Sequence, residues 1–165
     1  MKILLVYFSN SGNVMRVAEL LRAELEPHNE VTLAEIKPRR PHSYWFWLAL
    51  SFIPGCCVPI CAIPGDVRDF DLVLLGMPKW TLSCPPVNQF LHTLRGHCGK
   101  PFAVWLCYGG FDQDRFLRSF LRKLRRMGVL PVAWRLIKRR TIGEGNCQKD
   151  LTEFCRVALS AVRVA

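Results

Sequence analysis

The side chains with the clearest chemistry lie in one run, Ser9-Asn10-Ser11-Gly12-Asn13-Val14. An apolar run, Ile3 to Phe8, precedes it, and a helical stripe of Val14, Val17, Ala18, Leu21 and Leu25 follows. That places the run between a strand and a helix start, where backbone N–H groups lack helical partners and carry the positive end of the helix dipole. Ser9 and Ser11 add hydroxyl donors, Gly12 permits a tight turn and close approach, and Asn10 to Val14 add backbone donors. Such a loop could wrap a phosphate without a lysine. It fits neither G-x-x-x-x-G-K-[ST] nor G-x-G-x-x-G, which argues against a nucleoside triphosphatase and a dinucleotide-binding domain. An ordinary strand-to-helix turn remains the alternative reading of the same six residues.

Other reactive side chains form no pattern. Cys56, Cys57 and Cys61 read C-C-x-x-x-C, without the paired C-x-x-C chelate of a metal site, and a fourth ligand would have to come from distant Cys84. Free thiols are the first expectation for the eight cysteines, ahead of a redox or disulfide role and of a metal. Cys84 is a candidate redox thiol. His28, His42, His92 and His97 accompany no triad pattern and no H-E-x-x-H, so surface or satisfied core positions are expected. No carboxylate pair suits glycoside chemistry. No catalytic residue and no metal ligand is assigned.

The elements that must position the loop follow from hydrophobic periodicity. Ile3 to Phe8, Leu72 to Gly76 and Phe102 to Cys107 predict central strands buried on both faces. Glu30 to Ile36 and Leu130 to Ile137 predict a second and a fifth strand nearer the edges. Helical stripes recur at Val87, Phe90, Leu91 and Leu94; at Phe116, Leu117, Phe120, Leu121 and Leu124; and from Leu151 through Phe154, Cys155, Ala158, Leu159 and Val162. Alternating strands and helices predict an α/β domain with a parallel sheet and right-handed crossovers. With 165 residues, half of them hydrophobic, one domain is expected. Such a chain should bury about 70% of its unfolded surface without needing disulfides. An apolar, Cys- and Pro-rich insert at about 38–66 interrupts the alternation. Pro54, Pro59 and Pro64 and its short helical part make it too broken to span a bilayer. Tyr44, Trp45 and Trp47 beside Arg39, Arg40 and His42 are residue types that favour a lipid interface. Packing on the sheet or on a second subunit, as in a homodimer, is the other expectation.

The formal net charge is +10. Arg115 to Arg140 holds ten cations and no carboxylate, and the remainder balances at 13 against 13. A local basic patch of this kind attracts an acidic partner or an anionic membrane surface, or simply stays solvated. No nucleic-acid module accompanies it, so nucleic acid is not expected as a partner.

Tyr7-Phe-Ser-Asn-Ser-Gly-Asn13 followed by a helix resembles the FMN phosphate loop of flavodoxin-like proteins, whose usual pattern is [ST]-x-[ST]-G-x-[ST]. Asp71-Leu-Val-Leu-Leu-Gly-Met-Pro-Lys-Trp80 is similar to their third strand and first flavin loop, and Pro85 to Leu91 to the helix after it. Lys100-Pro-Phe-Ala-Val-Trp-Leu-Cys-Tyr-Gly-Gly110 is similar to the fourth strand and second flavin loop. The resemblance implies a three-layer sandwich around a five-stranded parallel sheet of order 2-1-3-4-5, with FMN at the carboxyl ends of the strands. It also implies a phosphate held by Ser9, Asn10, Ser11, Gly12, Asn13 and Val14, and a ring flanked by Pro78, Lys79, Trp80 and Thr81 and by Tyr108, Gly109, Gly110, Phe111 and Asp112. Trp80 and Tyr108 are the stacking candidates, and Gly109 and Gly110 would bring backbone N–H groups to the pyrimidine edge. Val14 departs from the pattern, which removes one side-chain donor and predicts weaker FMN binding.

Three functions stay open. One is an FMN-dependent electron-transfer protein or oxidoreductase working with a redox partner or small-molecule acceptor. The second is a quinone or porphyrinogen reductase at a membrane surface, and the third a flavin-free interaction module on the same scaffold. The chain opens directly on a strand, so a cytoplasmic location is expected, with free thiols, at most peripheral to a membrane.

Overall fold

The structure, a computed structural model, describes residues 1–94 and 99–164, with side chains through 162. His97 and Cys98 lie outside the described residues. Five strands, β1 (Lys2–Tyr7), β2 (Glu30–Glu35), β3 (Leu72–Pro78), β4 (Pro101–Tyr108) and β5 (Leu130–Lys138), form one sheet of order β2-β1-β3-β4-β5. Every neighbouring pair is parallel. The expected α/β order is therefore present, strand for strand.

Alternation across β1 explains why its sequence is uniformly apolar. Ile3, Leu5 and Tyr7 join one core; Leu4, Val6 and Phe8 join the other. A strand covered on both faces has no solvent side on which to place polar residues. β5 lies at an edge and accordingly leaves Leu130 and Trp134 exposed. Its ladder with β4 skips Val132, because Phe102 pairs with Pro131 and Ala103 with Ala133. At the centre, Gly76 of β3 lies directly beneath the Trp105 indole, and a Cβ there would penetrate the ring.

Helices cover both faces. α1 (Asn13–Leu25), α5 (Arg139–Gly143) and α6 (Gln148–Val164) pack on one; α2 (Tyr44–Ser51), α3 (Pro85–Thr93) and α4 (Gln113–Arg126) pack on the other. α5 was not anticipated, since five residues are too few to display a helical period. The insert closes on itself through an antiparallel bridge, Pro38 to Ile60, and through the Arg39 N–H donating to the Pro59 carbonyl at 2.9 Å. Its helix α2 starts at Ser43, whose hydroxyl accepts from the Phe46 N–H at 3.4 Å. Trp47, expected at a lipid interface with Tyr44 and Trp45, is instead 2% exposed and packed in the core, because the apolar face of α2 must cover Phe8 and Trp80.

The basic stretch is not one patch. Arg118, Arg122, Arg125 and Arg126 stand exposed on α4, while Lys138, Arg139 and Arg140 gather at the end of β5 on α5, the helix packed against the other face. Lys123 turns inward, and Arg135 is half-buried, 3.8 Å from Asp150.

Candidate functional site

Three loops meet at the carboxyl ends of the central strands, the topological switch point where a doubly wound sheet has its natural crevice. They line a cleft of about 450 Å3. Asn10, Ser11, Asn13 and Val14 form one wall; Pro78, Lys79, Trp80 and Thr81 form the second; Tyr108, Gly109, Gly110 and Phe111 form the third. Twelve of the fifteen residues expected from the sequence thus come together. Ser9, Gly12 and Asp112 flank the cleft rather than line it.

The first wall is built as an anion cradle. Gly12 caps α1 in the left-handed region, at φ +81°, and no side chain caps the helix. The first N–H groups of α1 therefore keep their donors for a ligand. Ser9 holds its hydroxyl buried with no hydrogen-bond partner. A buried polar atom without a partner costs free energy, and a phosphate oxygen would satisfy it. Ser11 Oγ accepts from Asn13 Nδ2 at 3.0 Å, which fixes the two side chains against each other. The Val14 side chain is 2% exposed, in the core under α1, so this position offers the loop only its backbone N–H.

Lys79 joins the other two walls. Its N–H donates to the Cys107 carbonyl at 2.8 Å, its Nζ donates to the Phe111 carbonyl at 2.6 Å, and the same Nζ lies 5.5 Å from the Phe111 ring centroid. Phe111 itself is 85% exposed. Asp112 adopts the left-handed region at φ 63° as the N-cap of α4 and lies 3.7 Å from Arg115. Its carboxylate makes no cap hydrogen bond to α4 and faces Arg115 outside the cleft lining.

Trp80 departs most from expectation. It is 7% exposed, lies parallel to Trp47 and meets Phe8 edge-on, so little of its ring is open to the cleft. Tyr108 is half-buried in the cleft wall and keeps its candidacy as a platform. Tyr44 and Leu48 of α2 also line the cleft, as do Cys107 and Arg139, and none of these was among the expected site residues. Tyr44 and Arg139 were visible in the sequence only as a lipid-favouring aromatic and as one cation among ten. Two cations, Lys79 and Arg139, and no carboxylate line the cleft, a balance that favours an anionic occupant.

The expected redox thiol is not part of this site. Cys84 caps α3 and is 2% exposed, and burial pushes its thiol up to about 12. It is therefore protonated and poorly nucleophilic near neutrality. Burial likewise pushes Cys107 up to about 12. Cys56 is half-buried and Cys61 exposed, both as free thiols. Among the described residues, no group of three or more metal-ligating side chains converges. A larger cavity, about 850 Å3, lies between the second half of the insert and α3, lined by Arg39, Ile60, Asp66 and Phe90 among others. It contains neither the start of an α-helix nor any of the three loops, so the smaller cleft is assigned as the site.

Comparison with known proteins bears on the fold. No family model matches the chain. An uncharacterized protein from Archaeoglobus fulgidus is 35% identical over 140 residues, covering 85% of this chain and 88% of that one. Among solved structures, a flavoprotein from Lactobacillus acidophilus crystallised in complex with FMN superposes with a TM-score of 0.69 at 19% identity, over 87% of this chain and 97% of that one. Oxidised flavodoxin 2 from Bacillus cereus gives 0.68 at 20% identity over 97% and 99%. Megasphaera elsdenii flavodoxin gives 0.61 at 17% identity over 99% of each chain. At these identities the likeness establishes a shared fold.

Proposed function

We propose that this chain, which belongs to one family with the Archaeoglobus fulgidus protein and has the flavodoxin-like fold, binds FMN in the cleft and serves as an electron-transfer flavoprotein or oxidoreductase. The observation that carries this reading is the buried, unpartnered hydroxyl of Ser9 behind an uncapped helix start. Burying a donor without a partner is disfavoured unless a ligand supplies one, and a phosphate supplies several acceptors at once.

The roles divide among the three walls. Ser9, Ser11 and the first N–H groups of α1 hold the phosphate. Pro78 to Thr81 and Tyr108 to Phe111 enclose the ring system, with Tyr108 and Tyr44 as its aromatic neighbours. Arg139 adds positive charge at the rim, which compensates in part for the hydroxyl that Val14 does not provide. Bound flavin would supply the redox chemistry, accepting and releasing electrons singly or as a pair. The chain's own part is to bind, to orient and to limit water.

Titration of the purified protein with FMN tests the reading, followed by flavin fluorescence and by a visible spectrum that shifts on binding. Ser9→Ala should weaken binding by a factor of about 10 to 100, the worth of one hydrogen bond to a charged group. It should leave thermal stability unchanged or slightly raised, because it removes a buried orphan. FMN that binds neither protein would return the cleft to a scaffold role, and FMN that binds both equally would place the phosphate away from Ser9.

A further inference from the structure

We infer that α2 and the turn after it form a docking surface for an anionic lipid bilayer. The insert helix turns Trp47 and Ser51 inward, and what it leaves outside is apolar. Trp45 is 73% exposed, Phe52 59% and Ile53 54%. Leu82, 54% exposed, joins the same surface, because its N–H donates to the Ser51 carbonyl at 3.0 Å. Isolated exposed apolar residues are ordinary, but a clustered set on one short helix and its turn marks an interaction surface.

Charge selects the occupant. No Asp or Glu occurs from residue 36 to residue 65, while Arg39 and Arg40 stand exposed just before α2. On the other side, Pro54, Gly55 and Leu82 share a small pocket with Phe116 and Ser119 of α4, which brings that helix and its exposed Arg118 and Arg122 alongside. An aromatic strip between two sets of arginines matches the layering of a bilayer surface, with Trp and Phe at acyl-chain level and cations among anionic headgroups. An acidic protein would satisfy the arginines but would gain little from a protruding Trp45 flanked by Phe52 and Ile53. No helix among the described residues is long and apolar enough to cross a membrane, so the contact is with the surface. Tyr44 on the same helix lines the cleft, so docking through α2 brings the cleft mouth to the bilayer.

The full chain should co-sediment with phosphatidylcholine vesicles containing about one-third phosphatidylglycerol, and far less with phosphatidylcholine alone. A Trp45→Ser, Phe52→Ser, Ile53→Ser variant should lose about tenfold or more in partitioning while keeping the native melting temperature, since all three side chains are exposed. Arg118→Glu with Arg122→Glu should lose the salt-sensitive part only. Docking through α2 is overturned if the native chain does not pellet at low salt, or if the serine variant pellets as well as the native one. A salt-resistant dimer that the serine variant abolishes, without vesicle binding, would overturn it in favour of a second copy. The measurement needs no FMN, so a failed FMN titration leaves the docking result standing on its own.

Discussion

The rings of Trp47 and Trp80 lie parallel, 10° between planes and 6.3 Å between centroids, and Phe8 meets both edge-on at 6.0 and 5.5 Å. One residue comes from the insert, one from the second wall of the cleft and one from the end of the β1 segment. The insert is therefore a structural part of the site and not an appendage, because its helix holds the loop that carries Lys79 and Thr81. A hydroxyl contact of 2.6 Å between Ser51 and Thr81 makes the same connection a few residues on.

Trp80→Ala should accordingly act first on stability. Removing a core aromatic leaves a cavity that costs about 3–5 kcal/mol. Urea denaturation reads this as a lower midpoint at unchanged slope. A variant as stable as the native chain, yet weaker for FMN, would instead place Trp80 against the flavin ring.

Gly12→Val tests the loop from the backbone side. Beyond its chain neighbours, no protein atom lies within 4 Å of a Cβ at this position, so the Cβ itself meets no clash. The cost to stability is the left-handed φ of +81°, about 1–2 kcal/mol for a residue with a side chain. FMN affinity should fall much further, because the branched side chain occupies the space through which a phosphate would approach. Equal losses in stability and affinity would show that the loop merely unfolds, and would move the phosphate elsewhere.

What could be read in the sequence was local. The Ile3 to Phe8 run, the small polar residues after it and the stripe from Val14 to Leu25 are contiguous, so strand, loop and helix are legible together. The order of the strands came with the resemblance. The closing of α2 over the cleft was not legible, because it depends on Trp47 meeting Phe8 and Trp80, contacts between segments more than thirty residues apart. Composition alone made Trp47 look like its neighbour Trp45, although one is buried and the other exposed. Arg139 was hidden differently, inside a run of charge that the fold divides between α4 and the end of β5.

The buried thiols predict a pH dependence. Burial pushes Cys84, Cys107 and Cys155 up to about 12 from an ordinary value of 9.0. The unfolded chain then ionises first, so stability is full below about pH 9 and falls as pH rises towards 12. Each thiol contributes a slope of about 1.4 kcal/mol per pH unit within that window. Cys155→Ala should make the alkaline decline shallower than in the native chain. Iodoacetamide at pH 8 should label Cys61 and spare these three, as read by mass spectrometry; rapid labelling of Cys84 would contradict its burial.

Asn88 ties three elements together out of reach of solvent. It is 3% exposed on α3, donates from Nδ2 to the Cys56 carbonyl of the insert at 2.7 Å, and accepts at Oδ1 from Lys123 Nζ of α4 at 2.6 Å. Burial lowers the Lys123 pKa, so its ammonium depends on that acceptor. Asn88→Ala leaves the ammonium and the carbonyl without this bridge, which should cost about 1–3 kcal/mol, more where the charge stays buried. Asn88→Asp keeps an acceptor for Lys123 and loses only the donor to Cys56, so it should cost less than the alanine. Because Cys56 belongs to the insert and Asn88 to the α3 face, the alanine should also speed hydrogen exchange around residues 54–58 relative to β1. Midpoints for both variants equal to that of the native chain would mean that the three elements are held by apolar packing alone, and midpoints equally below it would mean that the bond to the Cys56 carbonyl, not the Lys123 charge, carries the cost.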